Sequence, residues 1–300
     1  MKKKTYLFAL MAMALTLGSC SDNENGIGGE TSKYIIVSTS IGNMTRVATD
    51  EKGGQTFEEG DEISVYAWTG DATVAPETRE RVVNNAINKL TNGSWISNPQ
   101  MLWKNNRDKH YFIGVYPISA ISDLSAGEYT FDETKQVESD LLVAVNKDGL
   151  SYNVDEQQPV PLTFTHVMAK LVVNLTYKNQ WGGIPTVEKV VVGNAAKEAT
   201  INYLTKVVTP STTAKEDFSL PEITENTKYV SVIIPQEEVT QLTIVIGGKN
   251  FVYDNGTPFK LESGKITTVN LEVGRDEIKL GDVKITNWED GSTFSGEALN

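Results

Sequence analysis

Apolar and polar positions alternate along most of this chain, and the period sets its class. Between Tyr34 and Ile41, the residues Ile35, Val37, Thr39 and Ile41 fall on one side. Between Lys170 and Tyr177, the inward set is Leu171, Val173, Leu175 and Tyr177, with Lys170, Asn174 and Thr176 opposite. Leu242, Ile244 and Ile246 repeat the pattern, as do Val269, Leu271 and Val273. A period of two with β-branched enrichment predicts strands that bury one face. Shorter apolar runs predict further strands at 63–68, 111–116, 141–145, 187–192, 229–234 and 278–285. Asn92-Gly93, Asp148-Gly149, Gly182-Gly183, Gly247-Gly248 and Asn255-Gly256 separate them as turns. Many short strands with frequent turns point to an all-β chain built of sandwiches.

One segment reads two ways. Val82, Val83, Ala86, Ile87 and Leu90 would share a helical face, yet Asn92-Gly93 and Ser94-Trp95-Ile96 follow at once. That sequel favours a hairpin. A polar, proline-bearing stretch, Asp155-Glu156-Gln157-Gln158-Pro159, offers a domain break. It divides the body into residues 34–165 and 166–300, each with enough strand for its own core.

The N-terminus reads as an address. Lys2, Lys3 and Lys4 precede an apolar run from Tyr6 to Leu17, too short for the ~20 residues a bilayer span needs. The run ends in Leu17-Gly18-Ser19-Cys20, which resembles a bacterial lipobox and marks Cys20 as the acylated residue. Residues 1–19 are then a lipoprotein signal peptide, and the polar, Gly-rich residues 20–33 a flexible tether. Several acyl chains on one cysteine make a stable anchor in the outer membrane. Removing residues 1–19 takes three lysines and no acid, so the net charge goes from −12 to −15. An acidic field of that size argues against nucleic acid as a partner.

Catalytic chemistry is sparse. The single cysteine is committed to lipid, and two histidines cannot build a His-rich metal centre. Glu58, Glu59, Asp61 and Glu62 read as a solvated turn rather than a glycosidase pair. No nucleophile elbow, Walker loop or zinc motif occurs, so no enzyme activity, cofactor or metal is expected. Tyr66, Trp68, Trp103, Tyr111, Phe112 and Tyr116 read as core aromatics, His166 as a hydrogen-bonded structural residue and His110 as exposed.

Several patterns, in order, resemble the fimbrillin family of Bacteroidetes, the Mfa-like and FimA-like subunits of type V pili. Thr45-Arg46 follows the first strand. Phe57-Glu58-Glu59-Gly60-Asp61-Glu62-Ile63-Ser64-Val65-Tyr66-Ala67 resembles the family's F-x-x-G-D-x-I-x-V-x-A. Tyr111-Phe112-Ile113-Gly114-Val115-Tyr116-Pro117 and Leu162-Thr163-Phe164-Thr165-His166-Val167-Met168-Ala169-Lys170-Leu171 resemble two more of its motifs, and Trp288 closes the series.

The resemblance implies two tandem transthyretin-like β-sandwich domains and a subunit of stalk, tip or anchor type in an adhesive surface fimbria. It implies assembly by proteolysis and strand exchange with other fimbrial subunits, and a ligand on a host or bacterial surface. The cut would fall between Arg46 and Val47, releasing the strand 34–43. A donor strand would come from the C-terminal end, where Ile278, Leu280, Val283, Ile285 and Trp288 alternate with polar residues and Gly281-Asp282 interrupts the run. These residues also fit ordinary closing strands. The alternative function is a monomeric surface lipoprotein that binds glycans on exposed aromatics.

Overall fold

The computed structural model describes residues 34–42, 56–153, 158–239, 241–254 and 258–288. Cys20, the tether, Arg46 and Val47 lie outside them. The first half of the chain gives β1 (Val37–Ile41), β2 (Glu62–Thr69), β3 (Val83–Thr91), β4 (Ser94–Asn98), β5 (His110–Tyr116), β6 (Gly127–Thr130), β7 (Leu142–Leu150) and β8 (Val160–His166). All of these except β6 form one seven-stranded sheet in the order β1-β8-β7-β5-β2-β3-β4. The ambiguous segment is a hairpin: β3 and β4 pair antiparallel around Asn92-Gly93, both with positive φ. Local helical spacing loses here because β2 offers β3 an antiparallel ladder, broken once between Val65 and Ala67.

The second half begins with β9 (Ala169–Tyr177), β10 (Val187–Ala196), β11 (Glu198–Asn202), β12 (Val207–Pro210), β13 (Lys215–Leu220) and β14 (Glu222–Thr224). It continues with β15 (Lys228–Ile233), β16 (Gln236–Val239), β17 (Leu242–Ile246), β18 (Lys249–Tyr253), β19 (Phe259–Leu261), β20 (Lys265–Val273) and β21 (Ile278–Asn287). A five-stranded sheet runs β14-β15-β9-β20-β21 and a four-stranded one β13-β10-β17-β18. β6 reaches across from the first half to pair with β11.

Burial explains why the pattern in β2 is not a simple alternation. Ile63 to Trp68 are all buried, because the seven-stranded sheet is covered on both faces. Ile63, Val65, Ala67 and Phe112 enter a cluster with Ile35, Val37, Leu162 and Phe164. Tyr66, Trp68, Ile113 and Val115 enter the larger cluster that also holds the cores of β9, β10, β15, β17 and β20. Lys170, expected on the outer face of its strand, is 3% exposed because β9 is central and roofed at its start. Gly281-Asp282 does not divide the last strand. β21 runs unbroken through it, the two residues forming a bulge where the register shifts between Val269 and Leu271 of β20.

Candidate functional site

Two edge strands carry the residues that the sequence singles out for assembly. β1 lies parallel on β8, with Val37 opposite Val160 and Ile41 opposite Phe164. Val160 N–H donates to Ile36 O (2.8 Å) and Gly42 N–H to Phe164 O (2.8 Å). Just upstream, Ile35 N–H donates to Met101 O (2.9 Å) and Tyr34 bridges to Leu102. Ile35 and Val37 are 2% and 4% exposed, whereas Ile36 is 43% exposed. The alternation read from the sequence therefore seats this strand by two side chains.

The other flank of β1 has no strand bonded to it among the described residues. It faces β4, the opposite edge of the same sheet, across a cleft of about 570 Å³. The cleft is lined by 36–41, Phe57, Leu90, Trp95 and Pro159, with no charged side chain. Trp95 Nε1–H donates across it to Thr39 Oγ1 (3.0 Å). Phe57 closes one end, edge-on to Trp95, Tyr116 and Phe164 at 5.1–5.4 Å.

β21 is the matching edge of the five-stranded sheet, antiparallel to β20 from Ile278 opposite Val273 to Asn287 opposite Lys265. Ile278 and Leu280 are half-buried and pack on the larger cluster. Val283 and Ile285 are 36% and 37% exposed, and Trp288 is 3% exposed. The indole stacks on the His166 ring, centroids 4.2 Å apart and planes 3° from parallel. His166 Nδ1 is 2.8 Å from Asp140 Oδ1, and Lys170 Nζ lies 5.6 Å from the Trp288 ring centroid. Burial pushes the Lys170 ammonium down to about 8, against the attraction of Asp140.

The remaining sequence candidates take structural roles. Asp61 Oδ2 accepts from Glu58 N–H (2.7 Å), Glu59 Oε1 from Asn92 N–H (2.8 Å), and Glu62 pairs with Lys89 (3.1 Å), so the acidic cluster ties a turn to the β3–β4 hairpin. Tyr116 donates to Asp61 Oδ1 (3.3 Å), and burial with that carboxylate pushes the phenol up to about 12. His110, expected to be exposed, is fully buried beneath Trp103. Lys104 N–H donates to its Nε2 (3.0 Å), which leaves Nδ1–H to donate to Asp108 O (3.1 Å). Burial lowers its pKa and keeps the ring neutral. Trp103, its cover, stands only seven residues upstream, and the flanking Asp108 and Lys109 are what make the position read as exposed. Tyr66, Trp68, Trp103 and Phe112 are buried, and Tyr111 and Tyr116 half-buried, so these six do not make an open platform. Among the described residues no group of three or more His, Cys, Asp or Glu could hold a metal ion.

Comparison with known proteins places this geometry. Residues 45–288 match the fimbrillin-like family. The chain is 24% identical, over 97% of its length and 97% of the other's, to Fim1C of Bacteroides uniformis, a candidate fimbrium subunit. Its fold is similar to the crystal structure of a candidate cell adhesion protein from Bacteroides ovatus. There the TM-score is 0.65 at 18% identity, covering 86% of this chain and 99% of that one. A second such protein, from Bacteroides uniformis, gives 0.63 at 18% identity over 85% and 98%.

Proposed function

The chain belongs to the fimbrillin-like family, and from that premise we propose that it is a structural subunit of a surface fimbria that is exported as a lipoprotein and assembled by strand exchange. Cys20 carries the acyl chains and holds the precursor at the outer membrane. β1 occupies its own groove until a protease cuts between Arg46 and Val47. It then leaves, and a strand of a neighbouring subunit takes its place beside β8. β21, through Ile278, Leu280, Val283, Ile285 and Trp288, is the candidate donor. The body is read as two tandem transthyretin-like domains, 34–165 and 166–300. The passage from the seven-stranded sheet to the five-stranded one between His166 and Ala169 supports that division.

The observation that carries this reading is the seat of β1. With residues 34–36 before it, the strand is bonded on one flank, buries Ile35 and Val37 and follows directly on the tether. An uncovered β8 edge with its apolar row is a template that another strand can complete. While the chain between β1 and β2 is uncut, β1 acts at high effective concentration and excludes competitors; a cut removes that advantage. Head-to-tail pairing of this kind does not close on itself and so propagates.

The test compares wild type with Arg46→Ala. Filament yield and the N-terminal sequence of the cell-surface protein are measured for both. Wild type is expected to begin at Val47 in filaments, and Arg46→Ala to stay at Cys20 as a folded, unassembled precursor. Normal filaments from Arg46→Ala with an intact N-terminus would sink the strand-exchange reading.

A further inference from the structure

The seat of Trp288 bears on when β21 can leave β20, an inference that rests on the reading of β21 as an exchangeable strand. Four pieces of chain converge there. His166 ends β8, and Lys170 lies at the start of β9. Between them Val167 O accepts from Ser263 Oγ–H (2.8 Å) and Met168 O from Gly264 N–H (2.8 Å). Trp288 N–H in turn donates to Gly264 O (3.2 Å). The ring of Trp288 thus covers the junction that joins the seven-stranded sheet to the five-stranded one.

The same ring is the one buried side chain among residues 278–288. From Gly281 to Asn287 the side chains of β21 are exposed or half-exposed, and Ile278 and Leu280 at the far end are half-buried. A strand with so little burial over its last seven positions frays from that end unless something beyond them pins it. Trp288 is that pin.

The pin is closed without much margin. The indole Nε1–H is buried with no acceptor among the described residues. A buried donor left unmade forfeits its hydration. Lys170 is 3% exposed, and its ammonium is disfavoured there. The stack on His166 opposes both penalties, and both are relieved by water when the ring swings out.

We propose that the stack of Trp288 on His166 is a latch that couples retention of β21 on β20 to the arrangement of the β8–β9 junction, so that the strand and the junction loosen in one step.

Amide hydrogen exchange of the full chain, followed by peptide mass, tests it. In wild type, Ile278–Asn287 and residues 167–170 are expected to exchange with one common opening constant, faster than the centre of β9. Trp288→Ala should raise exchange in both segments at least tenfold while the chain still unfolds cooperatively. Trp288→Phe keeps a ring over His166 and removes the orphan N–H, so its exchange should match or fall below wild type. Three results would overturn the latch. These are unchanged exchange in Trp288→Ala, β21 moving without 167–170, and Trp288→Phe loosening as much as alanine does.

A separate arm isolates the underlying reading. Thr268 and Lys284 face each other across β20 and β21. A chain that starts at Val47 lacks Cys20, the one native cysteine, so Thr268→Cys with Lys284→Cys can lock the strand. If the locked, Val47-started protein assembles as well as its reduced form, the donor assignment of β21 fails, whatever the exchange data say of the latch.

Discussion

Under the proposed strand exchange, a single cut in residues 43–55 would convert β1 from part of the fold into a bound peptide, and the structure says which side chains hold it. Ile35 is 2% exposed among Val65, Met101 and Phe164 of its cluster, whereas its neighbour Ile36 is 43% exposed. Truncating a buried Ile to Ala costs about 3 kcal/mol in lost transfer and residual cavity. That corresponds to a factor of about 10² in the dissociation constant. Changes of this kind within one interface fall mainly on the off-rate. Ile36→Ala removes a side chain already facing water, so its effect stays within about 0.5 kcal/mol, roughly twofold. The assay cuts the folded precursor once, then follows loss of the N-terminal fragment from the body by size exclusion over time. Ile35→Ala should release it about 10²-fold faster than wild type, and Ile36→Ala at nearly the wild-type rate. Equal release from both variants would refute the reasoning, because the backbone ladder alone would then hold the strand. So would a wild-type fragment that never leaves even when excess free β1 peptide is present to block rebinding.

Two further outcomes follow from the packing. A Cβ on Gly114 would lie 2.6 Å from Phe164 Cζ and 3.1 Å from Leu162 Cδ1. Gly114→Ala should therefore lower stability by about 1–3 kcal/mol, read as a fall in Tm; an unchanged Tm would mean that Phe164 turns aside freely. Lys170 has its folded-state pKa lowered to about 8, by burial, from the usual 10.5. Between those values the unfolded chain holds more protons than the folded one, so this group makes stability rise with pH over that window. Below about 8 its contribution is flat and unfavourable. Lys170→Met should remove the slope between pH 8 and 10 in denaturant midpoints; an identical slope in the variant would show that other groups cause it.

The strands were legible because their period is local. Ile35 and Val37 face inward as the alternation has them, and Asn92-Gly93 makes the expected hairpin. What failed was information held by distant partners. Nothing near Lys170 announces that Trp288 will roof it. Gly281-Asp282 looks like a stop, yet the β20 edge carries the strand past it at the cost of one bulge. The parallel pairing of β1 with β8 joins residues more than a hundred positions apart, and no local pattern encodes a register at that distance.

An exchangeable strand faces two demands that pull apart. It must be held well enough to keep the precursor folded, and its departure must leave the rest standing. β1 meets both through where its contacts lie. Taken with residues 34–36, its backbone bonds reach β8 and the segment at Met101, and its two buried side chains, Ile35 and Val37, enter the smaller of the two apolar clusters. The larger cluster, which holds Tyr66, Trp68, Val173, Val232 and Val269, receives nothing from β1. Loss of β1 therefore uncovers one edge and one face of a sheet whose other face stays packed. β21 is arranged differently. Its half-buried Ile278 and Leu280 touch the larger cluster, and Trp288 belongs to it. Removing β21 disturbs the main core and the β8–β9 junction together. Under the proposed strand exchange the two strands are therefore not equivalent: β1 would leave before anything replaces it, whereas β21 would be transferred in concert with whatever next covers His166 and Lys170.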